Sequence, residues 1–181
     1  MMDIVTYGNP ILNRTCKVVK SFSNIESIID DMFDTMYEAE GIGLAANQVG
    51  LDMNIFIIDV THTDETDDTH IFINSKILSI HGEKKYFQEG CLSLPGIALD
   101  VERPENILLQ YQTIDKKWHK NEFSGLLSRA IQHEMDHLNG VFIVDRVSEV
   151  EKIKYKNQLK ILELDSKKHI EESLDQKKFL L

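Results

Sequence analysis

Apolar residues recur at helical spacing at Ile25, Ile28, Ile29, Met32, Phe33, Met36 and Tyr37. Ser23 and Glu26 have the spacing of a capping box, and Gly41 is placed to stop the run. The pattern predicts an amphipathic helix over 24–40 with its stripe toward a core. From Met53 to about Ser124 it changes to short runs rich in β-branched and aromatic residues: MNIFIIDV, HIFIN, KILSIHG, KKYFQ, IALDVE, NILLQYQTI and KWHKNEF, separated by turn formers. These predict mostly antiparallel sheet. Leu126, Leu127, Ala130, Ile131, Glu134, His137 and Leu138 return to a 3.6 period with Gly140 as terminator, so 125–139 reads as a helix. A last helix, 148–165, opens on a Ser148–Glu151 box and carries Ile153, Leu159, Ile161, Leu162 and Leu164. Strands grouped between helices predict an α+β fold, with antiparallel sheets packed around the 125–139 helix.

Composition narrows the classes. A chain of 181 residues with 42% hydrophobic content can bury one substantial core. Its net charge of −10 disfavours DNA and anionic membrane as partners, so any nucleic-acid contact has to be local. Two cysteines, Cys16 and Cys91, form at most one disulfide, and a chain of this size does not need it; a reduced cytosol fits. No stretch approaches the ~18 to 20 apolar residues of a membrane span, and the N-terminus lacks the marks of a targeting segment. A cytoplasmic, soluble protein is expected. THTDETDDTH at 61–70 carries four acids and no Lys or Arg, which reads as a solvated loop rather than a cation site.

The sharpest chemical feature is QHEMDHLNG at 132–140. His133 and His137, four residues apart on a helix, project from one face and can share one ion, while Glu134 stands about 100° around the helix, beside the ion rather than on it. A catalytic ion takes three protein ligands and keeps one position open, so one ligand is missing. Cys91, in the Gly-flanked QEGCLSLPG, is the candidate; taken alone, it reads as a small buried hydrophobe. GIGLAANQVG at 41–50 has alternating glycines that permit close backbone approach, but it lacks the Lys-Ser/Thr of a phosphate loop. By itself it is a helix stop and a turn.

GIGLAANQ, EGCLS and QHEMDH, in this order and at these distances, resemble the three signature motifs of the peptide deformylase family. YGNPIL near the start, the PG after the second motif and the last helix are similar too, so the likeness covers about 3–165. It implies one catalytic domain over 1–165, with SKKHIEESLDQKKFLL at 166–181 as a charged tail.

The resemblance implies Cys91, His133 and His137 as metal ligands and Glu134 as general base, then acid. Its reaction is hydrolysis of the formyl group from the N-terminal formyl-methionine of nascent polypeptides, releasing formate. The Gln48 amide and the Leu92 N–H would form the oxyanion hole. Ile42, Gly43, Glu89 and Gly90 would lie along an extended substrate backbone. Ile42, Phe87, Leu126, Ala130 and the His133 ring would wall a methionine pocket. One divalent ion is implied, Fe²⁺ in the cell, replaceable by Zn²⁺, Ni²⁺ or Co²⁺.

Arg129 reads as a solvated side chain whose stem could cover the pocket, and Asp136 as a helix-surface acid or, through an Arg such as Arg103, a support for the ligand helix. Between Glu151 and Lys160 four Lys face one acid, a local +3; in the family the C-terminal helix can contact the ribosome, so ribosomal RNA is an expected partner of this face. Two rivals remain. A zinc endopeptidase would share HExxH and use Glu163 as third ligand, and a noncatalytic metal-stabilised module would need a fourth ligand.

Overall fold

A computed structural model describes residues 1–63 and 68–179, with side chains up to residue 174. Helix α1 (Ile25–Glu38) leads into β1 (Gly43–Ala45), β2 (Ile55–Ile58), β3 (His70–Gly90), β4 (Ala98–Gln112) and β5 (Trp118–Phe123). Then follow α2 (Gly125–Leu138), α3 (Glu149–Lys154) and α4 (Lys156–Phe179), with short 3-10 turns at Pro10–Asn13, Ala46–Val49 and Ile143–Asp145. The strands form one antiparallel sheet in sequence order, β1 to β5. The expected α+β arrangement is present.

Helix α2 lies against the sheet because its apolar stripe meets a matching one. Leu127, Ala130, Ile131, Met135 and Leu138 pack with Phe56, Ile58, Phe72, Ile107 and Leu109. Fully burying each large aliphatic or aromatic side chain contributes about 1.5–3 kcal/mol. A second cluster joins Ile25, Ile29, Met32 and Met36 of α1 to Leu44, Ile55, Ile57 and Ile73. A third seats Leu159 of α4 on Leu94, Leu99, Val101 and Phe142.

Several local readings differ. HIFIN, KILSIHG and KKYFQ are one 21-residue strand, β3, because Asn74 and Gly82 take left-handed backbone as irregularities within the strand rather than ending it. The Ser23 box does not form: Asn24 sits at the N-cap with φ 60, and Ser21 Oγ accepts from the Ser23 N–H at 3.3 Å instead. The left-handed residue after α1 is Glu40, not Gly41. GLA of the glycine-rich segment is an edge strand, not only a turn. The last helix breaks at Tyr155 and continues past 165 to Phe179. Of the acidic 61–70 loop, residues 64–67 lie outside the described residues.

Gly140 ends α2 as expected, at φ 72, and a Cβ there would stand 2.8 Å from the Asn13 carbonyl carbon and 2.9 Å from the Arg14 nitrogen. Backbone cannot yield as a side-chain tip can. Gly140→Ala should therefore cost more than the ~1–2 kcal/mol of left-handed backbone alone, lowering the melting temperature by several degrees in a thermal scan. An unchanged melting temperature contradicts this close approach.

Candidate metal centre

Cys91 follows directly on the last residue of β3, where the chain turns through Leu94 N–H to Cys91 O at 2.9 Å. His133 and His137 come from one face of α2. These elements bring Cys Sγ and one nitrogen of each imidazole within 4.8 Å of one another, and Sγ lies 3.1 Å from His137 Nε2. The donor set, one thiolate and two imidazoles, suits a late first-row divalent ion with one position left open. Among the described residues no fourth His, Cys or carboxylate joins the group.

Each imidazole is set differently. His133 Nδ1 lies 3.1 Å from Glu89 Oε2, which leaves Nε2 for the cluster. Burial pulls His133 down, but its hydrogen bonds to Cys91 and Glu89 hold it well above its ordinary value. Among the described residues His137 Nδ1 is buried without a partner, and burial with the nearby His133 and Arg103 charges keeps this ring well below its ordinary value, hence neutral and able to ligate. Asn47 fixes this end of the helix by donating through Nδ2 to the His137 carbonyl.

Glu134 is 4% exposed, and among the described residues its Oε2 has no partner. Burial raises its carboxyl to about 7 against the lowering pull of His133 and Arg103. It is packed against strand β1: a Cβ on Gly43 would lie 2.5 Å from Glu134 Oε1, so only glycine admits the carboxylate in this position. A Cβ on Gly41 would meet Leu92 Cδ1 at 2.8 Å. Gln48, 1% exposed, is locked by its Oε1 accepting from the Ala45 N–H at 2.8 Å. Its Nε2 donates to Ser93 Oγ at 3.2 Å and lies 3.8 Å from Cys91 Sγ.

A cavity of about 600 Å³ opens above these groups. Ile42, Gly43, Phe87, Gly90, Leu126 and Ala130 line it, together with Gln48, Glu89, Leu92 and Glu134. Every residue singled out for substrate or proton transfer thus borders one space. Phe87 and Ile42 form its exposed rim.

Two expectations change. Arg129 is not solvated: it donates to Glu89 Oε1 at 2.7 Å, Lys85 O at 2.7 Å and Val101 O at 3.0 Å, and it covers the Phe87 ring at 5.6 Å. Asp136 is not a surface acid but buried, and the alternative pairing with Arg103 is present, with Arg146 added to it. Sequence reasoning missed the carboxyl role of Glu89. It is 7% exposed, accepts from Arg103 Nε and Nη2 at 2.7 and 2.9 Å, and burial's upward push is overcome by His133 and Arg103, leaving it at about 2. An acid two positions before the candidate Cys was the available signal. Glu163, the rival third ligand, lies on α4 beside Gly8, pairs with Lys167 at 2.8 Å, and is not in the cluster.

Titration with Co²⁺ should give a thiolate charge-transfer absorption that Cys91→Ala abolishes and Glu163→Ala leaves intact. The reverse pattern would move the site to the rival ligand.

Comparison with known proteins bears on the same residues. The family model of polypeptide deformylase matches residues 1–153. A peptide deformylase of Cytophaga hutchinsonii is 41% identical over 160 residues, covering 86% of this chain and 87% of its own. Among solved structures, peptide deformylase of Plasmodium falciparum superposes with a TM-score of 0.84 at 38% identity, over 91% of this chain and 97% of its own. That of Thermus thermophilus gives 0.85 at 32% identity, over 92% and 99%.

Proposed function

The chain belongs to the polypeptide deformylase family, and we propose that the cavity above Glu134 is where it removes the formyl group from the N-terminal formyl-methionine of polypeptides. It is a metal-dependent hydrolase. One observation carries the assignment of residues: Cys91, His133 and His137 converge within 4.8 Å beside a buried, half-unpartnered Glu134 on the floor of an apolar cavity.

Cys91, His133 and His137 would hold the divalent ion. When bound, it supplies Lewis acidity, polarising the formyl carbonyl and making water more acidic. Glu134 takes the proton of the attacking water and returns it to the departing amine, so the formyl C–N bond breaks to formate and a free α-amino group. Burial, which raises this carboxyl to about 7, places its proton exchange near neutrality. The fixed Gln48 amide and the Leu92 N–H stabilise the developing oxyanion.

Methionine, unbranched and apolar, suits the slot between Ile42, Phe87, Leu126, Ala130 and the His133 ring. Main-chain groups of Ile42–Gly43 and Glu89–Gly90 would pair with an extended substrate. Support for this comes from β1 standing at the sheet edge and β3 keeping only β4 beside it beyond Ile73, among the described residues. Such pairing tolerates any downstream sequence, as a substrate set of nascent chains requires.

Fe²⁺ in the cell, replaceable by Zn²⁺, Ni²⁺ or Co²⁺, is the ion we assign, with oxidation of the Cys91 thiolate as the expected route of inactivation. The catalytic unit is residues 1–165, in the cytoplasm, with 166–181 an appendage. No helix of the described residues is long and apolar enough to cross a membrane. Lys156 and Lys160, on a second cavity of about 350 Å³, are the basis for a ribosomal contact. Ribosome pelleting at low salt should weaken in a Lys156→Glu/Lys160→Glu variant, and equal pelleting removes that contact.

Formate release from formyl-Met-Ala-Ser under anaerobic conditions tests the reaction. Glu134→Ala should lose turnover, and Gln48→Ala should lose roughly 10²–10³-fold in kcat. Gly43→Ala should lose about 10²-fold, the cost of an ångström's displacement at the reacting centre, because the new methyl pushes the Glu134 carboxylate while that flexible tip spares the fold. Full activity in Glu134→Ala would refute the assignment.

A further inference from the structure

Asp136 touches none of the reacting groups, yet two arginines converge on it. Arg103, from β4, donates through Nη1 to Asp136 Oδ2 at 2.9 Å. Arg146 donates through Nε to the same oxygen at 3.0 Å and through Nη2 to Oδ1. The other Arg103 donors grip both oxygens of Glu89, and Glu89 Oε2 meets His133 Nδ1 at 3.1 Å. A series of charge-assisted hydrogen bonds thus runs from His133 through Glu89, Arg103 and Asp136 to Arg146.

The two ends of this series lie in different surroundings. Arg103 and Glu89 have side chains 4% and 7% exposed, and Asp136 11%, whereas the Arg146 side chain is 46% exposed. Arg146 stands two residues ahead of Ser148, the N-cap of α3, at the root of the C-terminal helices. Its fork holds Asp136 by both oxygens and so fixes the plane of the carboxylate. Without it, Oδ1 loses its guanidinium in a buried setting and the carboxylate is free to rotate. Arg103 would then lose the fixed partner that holds it square on Glu89.

We propose that Arg146 is a positioning residue for the metal centre: through Asp136, Arg103 and Glu89 it holds the His133 imidazole in place, tying ion retention to the root of the C-terminal helices. This rests on His133 being a ligand. A merely structural clamp between α2 and the 143–147 segment would stabilise the fold without altering the ion's residence.

The test uses the full chain loaded with Co²⁺, following loss of the thiolate–cobalt absorption after addition of excess chelator. Arg146→Met, which keeps the aliphatic stem, should release the ion about 10-fold faster, the lower end of the loss typical when support for a ligating imidazole is removed. Its kcat should fall with KM unchanged. Arg146→Lys, which keeps one cation but not the fork, should release at an intermediate rate, and it decides the matter if the Met variant does not fold. Lys152→Met removes a neighbouring ion pair, Lys152 to Asp145 at 2.6 Å, and should release like wild type. Release at the wild-type rate in both Arg146 variants, whatever their melting temperatures, overturns the link. A wild type that shows no thiolate–cobalt band overturns the ligand assignment beneath it instead.

Discussion

Helix α2 carries Ser128, Gln132, Glu134, Asp136 and His137 into the interior among apolar neighbours, and each buried polar group has to be answered by a partner. Gln132 is answered by Pro104 O at 2.9 Å and Ser128 Oγ at 3.2 Å, and Asp136 by two guanidinium groups. The groups left over are Glu134 Oε2 and His137 Nδ1. Glu134 borders the cavity where Cys91 meets the two imidazoles, whereas His137 Nδ1 is not the nitrogen that faces Cys91: that is Nε2, 3.1 Å from Sγ. A helix otherwise so well satisfied keeps the Glu134 carboxylate at the cavity, where a water and a substrate would complete it.

That satisfaction also ties the site's elements to one another. Glu89 gives up its carboxylate to Arg103, Arg129 and His133, so the strand that ends just before Cys91 and the helix that bears both His are joined by ion pairs as well as by core packing. Buried pairs of this kind add little net stability, since desolvation offsets much of their attraction, but breaking one leaves a stranded charge. Their value lies in fixing angles. Arg129 extends the same fixing to the pocket rim through the Phe87 ring.

Much of this was legible in the chain. The 3.6-residue period placed α1 and α2 to within two residues, because each must bury one stripe, and the four-residue spacing of His133 and His137 dictated a shared face. The strands were harder. Asn74 and Gly82 are turn formers by composition, yet inside a long strand with a paired neighbour they shift the register instead of ending the strand, so three runs were one. The glycine at 43 signalled close approach, but what approaches it, the Glu134 carboxylate, is a tertiary fact. The sequence admits a pairing of Asp136 with Arg103 as an alternative, and it is present, but the Glu89 partners of Arg103 and Arg129 and the part of Arg146 carry no local signal: arginine is usually at the surface, and only the fold shows which carboxylate it meets.

Everything functional here follows from a thiolate on one strand end and two imidazoles on one helix sharing a single ion. X-ray absorption at the metal edge of zinc-loaded, reduced protein measures that shared shell. One sulfur at about 2.3 Å and two imidazole nitrogens at about 2.0–2.1 Å, with a light scatterer completing the shell, is the expected spectrum. A shell of nitrogen and oxygen without sulfur would show that Cys91 does not hold the ion, and the reading of this cavity as the deformylating centre would fall with it.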